Sequence, residues 1–139
     1  MAAEPRPRPE LFVSEEERLT RRIFELANQG QFSAALDHYL PKATFDLGGG
    51  NVTGRFDRNG VTSLMESAIK EYGRPRVRIE DLHAFGSKVY VETSSRFESE
   101  NGRQVESHEI HVLEFLDGKV AAHRIFTNAV APPRLDTPH

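Results

Sequence analysis

Apolar residues recur along this chain with two different periods. After Ser14, the residues Leu19, Ile23, Leu26 and Ala27 follow one another at helical spacing, and Gly30 ends the run. Ser14 stands three residues before Glu17, the arrangement of a capping box, so a helix starts there. A second, short helix is predicted over about Phe32 to Leu40, presenting Phe32, Ala35, Leu36 and Tyr39, with Pro41 as its stop. The stretch ATFDLGGGNVTGRF alternates briefly and then breaks at three glycines, as a short strand entering a loop does. A third helix is predicted from roughly Asn59 to Tyr72, with Val61, Leu64, Met65, Ala68 and Ile69 facing inward and Gly73 beyond its end.

Past Gly73 the pattern reads as strand. Arg76 to Phe85, Lys88 to Glu98, Val105 to Phe115 and Lys119 to Asn128 are separated by GS, ENGR and DG, all tight-turn chemistries. Three helices before a meander of four long antiparallel strands make an α+β class, and a curved sheet wrapped on the helices is its natural packing. The segment PRPRP near the start and the ending APPRLDTPH hold proline without periodicity, so a domain over 14–130 is expected between flexible tails at 1–13 and 131–139.

Composition narrows the function classes. The chain has 139 residues, 37% hydrophobic and 28% charged, enough for one domain with a real core. No apolar run nears the roughly 18 residues that span a bilayer, and the first ten residues lack the pattern of a secretory signal, so a cytoplasmic protein with no membrane partner is expected. There is no cysteine, so any metal would rest on histidine and carboxylate. His108 and His111 are three apart on a strand and therefore face opposite ways, and neither a metal nor another cofactor is expected. A net charge of −3 with interspersed signs gives no basic face for nucleic acid, although Arg74, Arg76 and Arg78 cluster locally. The glycines of LGGGN lack the lysine that a phosphate loop requires.

The stretch ESHEIHVLEF, Glu106 to Phe115, sets two histidines and three glutamates among apolar strand residues. Such a strand is costly inside a fold unless one face meets a ligand or water in a cavity, where the same groups can do chemistry.

The element order, with NQGQFSAALDHYLPKATFD, GRF and FLDGKVAAHRIFTN, resembles the nuclear transport factor 2-like superfamily, which includes ketosteroid isomerases, SnoaL-type polyketide cyclases, scytalone dehydratase and limonene epoxide hydrolase. The resemblance covers about Glu15 to Val130. It implies a cone-shaped antiparallel sheet closed by the helices, a cystatin-like α+β barrel, holding a mostly apolar small molecule, and a homodimer. In the isomerase-like pattern the enolising base falls at Leu47, with Asp46 one residue earlier; the tyrosine of the first helix falls at Ile23 and a supporting aromatic at Tyr39. The buried acid of the oxyanion site falls at His111. The cyclase-like pattern, a histidine followed five residues later by aspartate, meets His123 but finds Asn128 in place of the acid.

Turn chemistry adds a face assignment. With Asn101 and Gly102 as the two central residues of a hairpin, Glu92 opposes His111, and Tyr90, Glu92, Ser94, Arg96, Glu109, His111 and Leu113 share the cavity face. For the last hairpin, a two-residue DG loop puts Arg124 opposite His111, whereas a three-residue loop puts His123 there; His123 also fits the cyclase-like pattern. The expected catalytic groups are therefore His111, His123, Asp46 and Glu109. Tyr39, Glu92, Arg124, Phe126, Asn128, Leu47 and Leu113 are expected around the substrate. The expected activity is cofactor-independent acid–base chemistry, namely cyclisation, isomerisation, dehydration or hydration, on a hydrophobic oxygenated molecule. The alternative is a ligand-binding or dimerising module of the same fold, and a third reading is an assembly partner docking through Val91, Ile110 and Val112.

Overall fold

The computed structural model describes residues 13–50, 52–98, 102 and 104–128. The tails expected at 1–13 and 131–139 lie, apart from Val13, outside the described residues. Among the described residues there are three helices, α1 (Glu15–Asn28), α2 (Phe32–Leu36) and α3 (Arg58–Tyr72), and six strands, β1 (Tyr39–Gly48), β2 (Gly54–Phe56), β3 (Arg76–Phe85), β4 (Lys88–Glu98), β5 (Gln104–Leu116) and β6 (Lys119–Thr127).

Local chemistry explains where the helices begin. Ser14 Oγ accepts the Glu17 amide at 3.1 Å, and Asp57 Oδ1 accepts the Gly60 amide at 2.7 Å, so each long helix satisfies one of its orphan donors with a side chain. Ile23, Phe24 and Leu26 of α1 are buried in the core, as is Val61 of α3. Helix α2 is shorter than its apolar pattern suggests: it ends at Leu36, and Tyr39 already belongs to β1. Its single buried residue is Ala35, too little apolar surface to hold another turn against the pull of the sheet.

The strands form one sheet in the order β2-β1-β6-β5-β4-β3, curved but not closed, with β2 and β3 as free edges. It is mixed and not wholly antiparallel, because β1 runs parallel to β6. A parallel pair needs a long crossover, and α3 with β3 to β5 supplies it. Helix α1 lies against β3 and β4, and α3 against β1 and β2.

Register shifts set the phase of the sheet: one lies between Tyr39 and Thr44 of β1 against β6, one in β3 and one in β6. Between Ile79 and Asp81 the register with β4 slips by Glu80, so that Leu82 and Ala84, and not Asp81, continue the inward row begun by Val77 and Ile79. Between Val120 and Ala122 the register of β6 slips by Ala121, so that Val120 and His123 both point inward. The resulting inner face carries Val89, Val91, Thr93 and Ser95 on β4 and Ser107, Glu109, His111, Leu113 and Phe115 on β5. Edge strand β3 is partly sealed by α1: the Asn28 side chain accepts the Val77 amide at 2.8 Å and donates to the Val77 carbonyl at 2.7 Å. That bidentate pairing occupies the free edge as another strand would.

Candidate functional site

Four side chains on three strands join into one buried line of hydrogen bonds. Tyr39 opens β1; its hydroxyl lies 2.8 Å from His123 Nδ1. His123 Nε2 lies 2.8 Å from His111 Nδ1, and His111 Nε2 lies 3.3 Å from Glu109 Oε1. Phe45 stacks on Tyr39 and tilts against the His123 ring, and Phe24 of α1 meets the His111 ring edge-on with centroids 5.0 Å apart. The line is dry at the tyrosine end. It reaches water at Glu109, whose side chain is 22% exposed against 6% for His111.

Electrostatics fixes the charge of two groups in the line. Burial pushes the Tyr39 phenol far above its ordinary value, so the hydroxyl keeps its proton. Burial, and then the neighbouring His111, hold His123 well below the ordinary imidazole value, so its ring is neutral. One polarity satisfies every group in the line: the Tyr39 hydroxyl donates to His123 Nδ1, His123 Nε2–H donates to His111 Nδ1, and His111 Nε2–H donates to the Glu109 carboxyl group.

The other expected site residues divide by face. Leu113 is fully buried on the inner face, directly opposite His123, and Leu47 stands half-buried opposite Ile125, itself opposite His111. Asp46 is turned to the outer face, where Arg55 donates to it at 2.7 and 3.3 Å; strand alternation after the buried Phe45 puts it there. Glu92 is also outside, exposed and opposite Ile110, so it does not meet His111. The β4–β5 ladder closes at Glu98–Gln104, one residue off the register of a two-residue turn at Asn101–Gly102, and a one-residue slip flips one strand's side chains relative to the other's. The turn's Asn101 lies outside the described residues.

Arg124 and Phe126 are outside as well, opposite Val112 and Ile110. The DG turn is indeed two residues long, both with positive φ, but the bulge at Ala121 shifts the ladder beyond it. Ile125 therefore opposes His111, and His123 reaches it diagonally from its place opposite Leu113. Asn128 is spent on structure: its side-chain oxygen accepts the His108 amide at 2.8 Å. His108 is exposed on the outer face, away from His111. No group of three or more metal-ligating side chains occurs among the described residues.

Two groups escaped the sequence reading. Phe24 covers His111, and its only signal was an aromatic beside Ile23 on the inward side of α1. Thr93 is fully buried directly opposite Glu109, and its hydroxyl has no hydrogen-bond partner among the described residues. Nothing in the pattern VETSS distinguishes it. A cavity of about 1130 Å³ is lined by Phe24, Ile79, Ser95 and, from the outer face, His108; Glu109, Thr93, His111 and His123 are not in its wall, and His111 sits behind Phe24.

The family model of the SnoaL-like domain matches residues 20–123. Among solved structures the chain is similar to IdmH from Streptomyces antibioticus, a proposed polyketide cyclase, at 16% identity and a TM-score of 0.74, covering 83% of this chain and 93% of that one. It is similar to AclR from Streptomyces galilaeus, a proposed hydroxylase, at 19% identity and 0.73, covering 82% and 79%. It is also similar to SalBIII, an epoxide hydrolase/cyclase-like enzyme of pyran ring formation in the polyether salinomycin, at 17% and 0.69, covering 81% and 90%. A search of curated proteins found no match. No described helix is long and apolar enough to cross a membrane.

Proposed function

The chain belongs to the family of SnoaL-like domains, and from that premise we propose that it is an enzyme of cofactor-independent acid–base chemistry on a hydrophobic, oxygenated small molecule of secondary metabolism. The observation that carries this reading is the Glu109–His111–His123–Tyr39 line. A carboxylate held by an imidazole N–H, at the wet end of an otherwise dry chain, is a base of fixed orientation. Glu109 takes a proton from a carbon next to a carbonyl, and the substrate becomes an enolate. The same carboxyl group then returns that proton to another carbon or to oxygen, which closes an isomerisation, or assists loss of water. Ring closure follows where the enolate carbon attacks a second carbonyl of the same molecule.

His111 acts on the substrate through Glu109, and His123 and Tyr39 hold its tautomer. Base catalysis of this kind contributes about 10²- to 10⁴-fold. By the same reading the protein works in the cytoplasm and pairs with a second copy, the exposed Tyr90, Ile110 and Phe126 of the outer face suiting a sheet-to-sheet contact; light scattering on the eluted protein checks the pairing.

Proton exchange tests the chemistry without knowledge of the natural substrate. Cyclic and aromatic β-dicarbonyl compounds are incubated with the protein in heavy water and followed by NMR. The expected result is accelerated exchange next to the carbonyl, reduced at least about a hundredfold by Glu109→Gln, which keeps the shape and removes the base. Compounds that bind without any exchange would make this a non-catalytic ligand-binding module. The near-complete burial of both imidazoles behind Phe24 is the observation that favours that second reading.

A further inference from the structure

The 1130 Å³ cavity takes in residues from both faces of the sheet: Ile79 and Ser95 from the inner face, Arg76 and Arg96 from the outer. The outer-face lining reaches Ser94 of β4 and Glu106 and His108 of β5, so the cavity wraps the sheet where β3 begins and β4 ends, beside the free edge of β3. Helix α1, pinned by Asn28 to Val77, bounds it along that edge, and the cavity is a passage beside α1 and β3. Its inner end reaches Phe24, in contact with His111. Its outer rim is arginine-rich.

The rim charges are not all used by the fold. Glu106 holds Arg96 at 2.6 Å, and Glu80 lies 3.4 Å from Arg78. Arg74 and Arg76 have no acidic partner within 4.0 Å among the described residues, and Arg76 stands directly opposite Arg96 across the ladder. Like charges placed opposite each other destabilise a sheet, so folding gains nothing from this pair. Arg74 bends back over the passage, its guanidinium resting against Gly30 at the α1–α2 turn. Two guanidiniums without an acidic partner among the described residues, two residues apart, offer planar forks, the geometry that takes a carboxylate through paired N–H donors.

We propose that the passage beside α1 and β3 is a binding site for an organic carboxylate, its anionic end on Arg74 and Arg76 and its apolar body running past Ile79 to Phe24. This deepens the acid–base reading by naming its substrate as a carboxylate, and it rests on that reading for turnover alone. Glu25, Glu80 and Glu106 share the same lining. They offset part of the positive charge of the rim, so selection of an organic carboxylate over phosphate rests on the apolar body it lays past Ile79 and Phe24.

Calorimetry on the full chain tests the site with 2-naphthoate, its methyl ester and inorganic phosphate as probes. Naphthoate is expected to bind in a salt-sensitive way, and the Arg74→Gln/Arg76→Gln double variant to weaken it at least about tenfold. The methyl ester is expected to bind wild type and variant alike, more weakly than naphthoate binds wild type. Arg74→Lys/Arg76→Lys, which keeps charge and loses the fork, is expected to fall between. Equal binding of acid and ester by wild type, or undiminished naphthoate binding by the double glutamine variant, overturns the proposal; displacement of naphthoate by phosphate overturns its carboxylate selectivity. Glu109→Gln is expected to keep naphthoate binding. If arginine-dependent binding holds while no compound exchanges its protons, the acid–base reading fails and this site stands.

Discussion

His111 Nδ1 lies 2.8 Å from His123 Nε2, inside the fold and with no carboxylate between them. Two adjacent imidazoles can both be satisfied only if one donates and the other accepts, and the polarity that also satisfies Tyr39 and Glu109 has His123 donating. The buried Tyr39 hydroxyl then donates to His123 Nδ1, and the remaining ring proton points toward His111.

Tyr39→Phe should therefore act on both stability and chemistry. The ring still packs on Phe45, but His123 Nδ1 loses its donor in a buried place, a loss of about 1–3 kcal/mol. Urea denaturation measures it. With the tautomer of His123 no longer fixed, the proton-exchange rate should fall while probe binding is kept, a split that a purely structural role would not produce.

Stability should rise with pH up to the ordinary imidazole range. His123 is neutral in the folded protein because its value is depressed, and it titrates at the ordinary 6.5 once unfolded. Between the depressed value and 6.5 the unfolded chain binds one more proton than the native one, so unfolding gains as pH falls, by up to about 1.4 kcal/mol per pH unit from this group. Above 6.5 the contribution is complete and flat. Urea midpoints between pH 5 and 7.5 check this, and His123→Gln should flatten the dependence in that window. An unchanged slope in the variant would assign it to another group.

Deleting Ala121 removes only the extra residue: Val120 stays opposite Phe115, Ala122 opposite Glu114 and His123 opposite Leu113, so regular alternation keeps His123 inward and Arg124 outward. This variant should fold and keep exchange activity. Deleting Ala121 and Ala122 together should instead turn His123 outward and Arg124 into the core beside Leu113, and burial of an unpaired guanidinium costs several kcal/mol, so that variant should be unfolded or fold without activity. Circular dichroism and the exchange assay compare the two, and an inactive or unfolded single-deletion variant would sink the assignment of the bulge.

Gly49 has a φ of +82°, and a Cβ there would run into the Thr127 carbonyl oxygen. Gly118 has a similar φ of +80° but open space around it. Gly118→Ala should lose about 1 kcal/mol from backbone strain alone, whereas Gly49→Ala should lose more, because the end of β6 must also move. Thermal melts of the two variants give the comparison directly.

The helices and long strands were legible because their signals are local. The spacing of Leu19, Ile23 and Leu26, the cap Ser14, and the limits of β3 and β4 are all written within a few residues of one another. The resemblance found in NQGQFSAALDHYLPKATFD and FLDGKVAAHRIFTN pointed to the family that residues 20–123 match. The placing of Glu92 beside His111 failed because it depended on one residue of loop length. His123 was favoured over Arg124 on the idea of a three-residue loop, yet it reaches the inner face by another route, a two-residue turn followed by an extra residue at Ala121. Asp46 shows the same limit: one step along β1 separates an inward position from a partner of Arg55 on the outer face.

By itself the amino-acid sequence determined which segments become helix or strand, and that titratable groups crowd β5, since period and composition are properties of neighbours in the chain. Only the tertiary structure decided which of those groups meet. Strand phase is set where bulges and turns let the apolar rows of six strands close on α1 and α3, and a shift of a single residue there exchanges a buried imidazole for a surface charge.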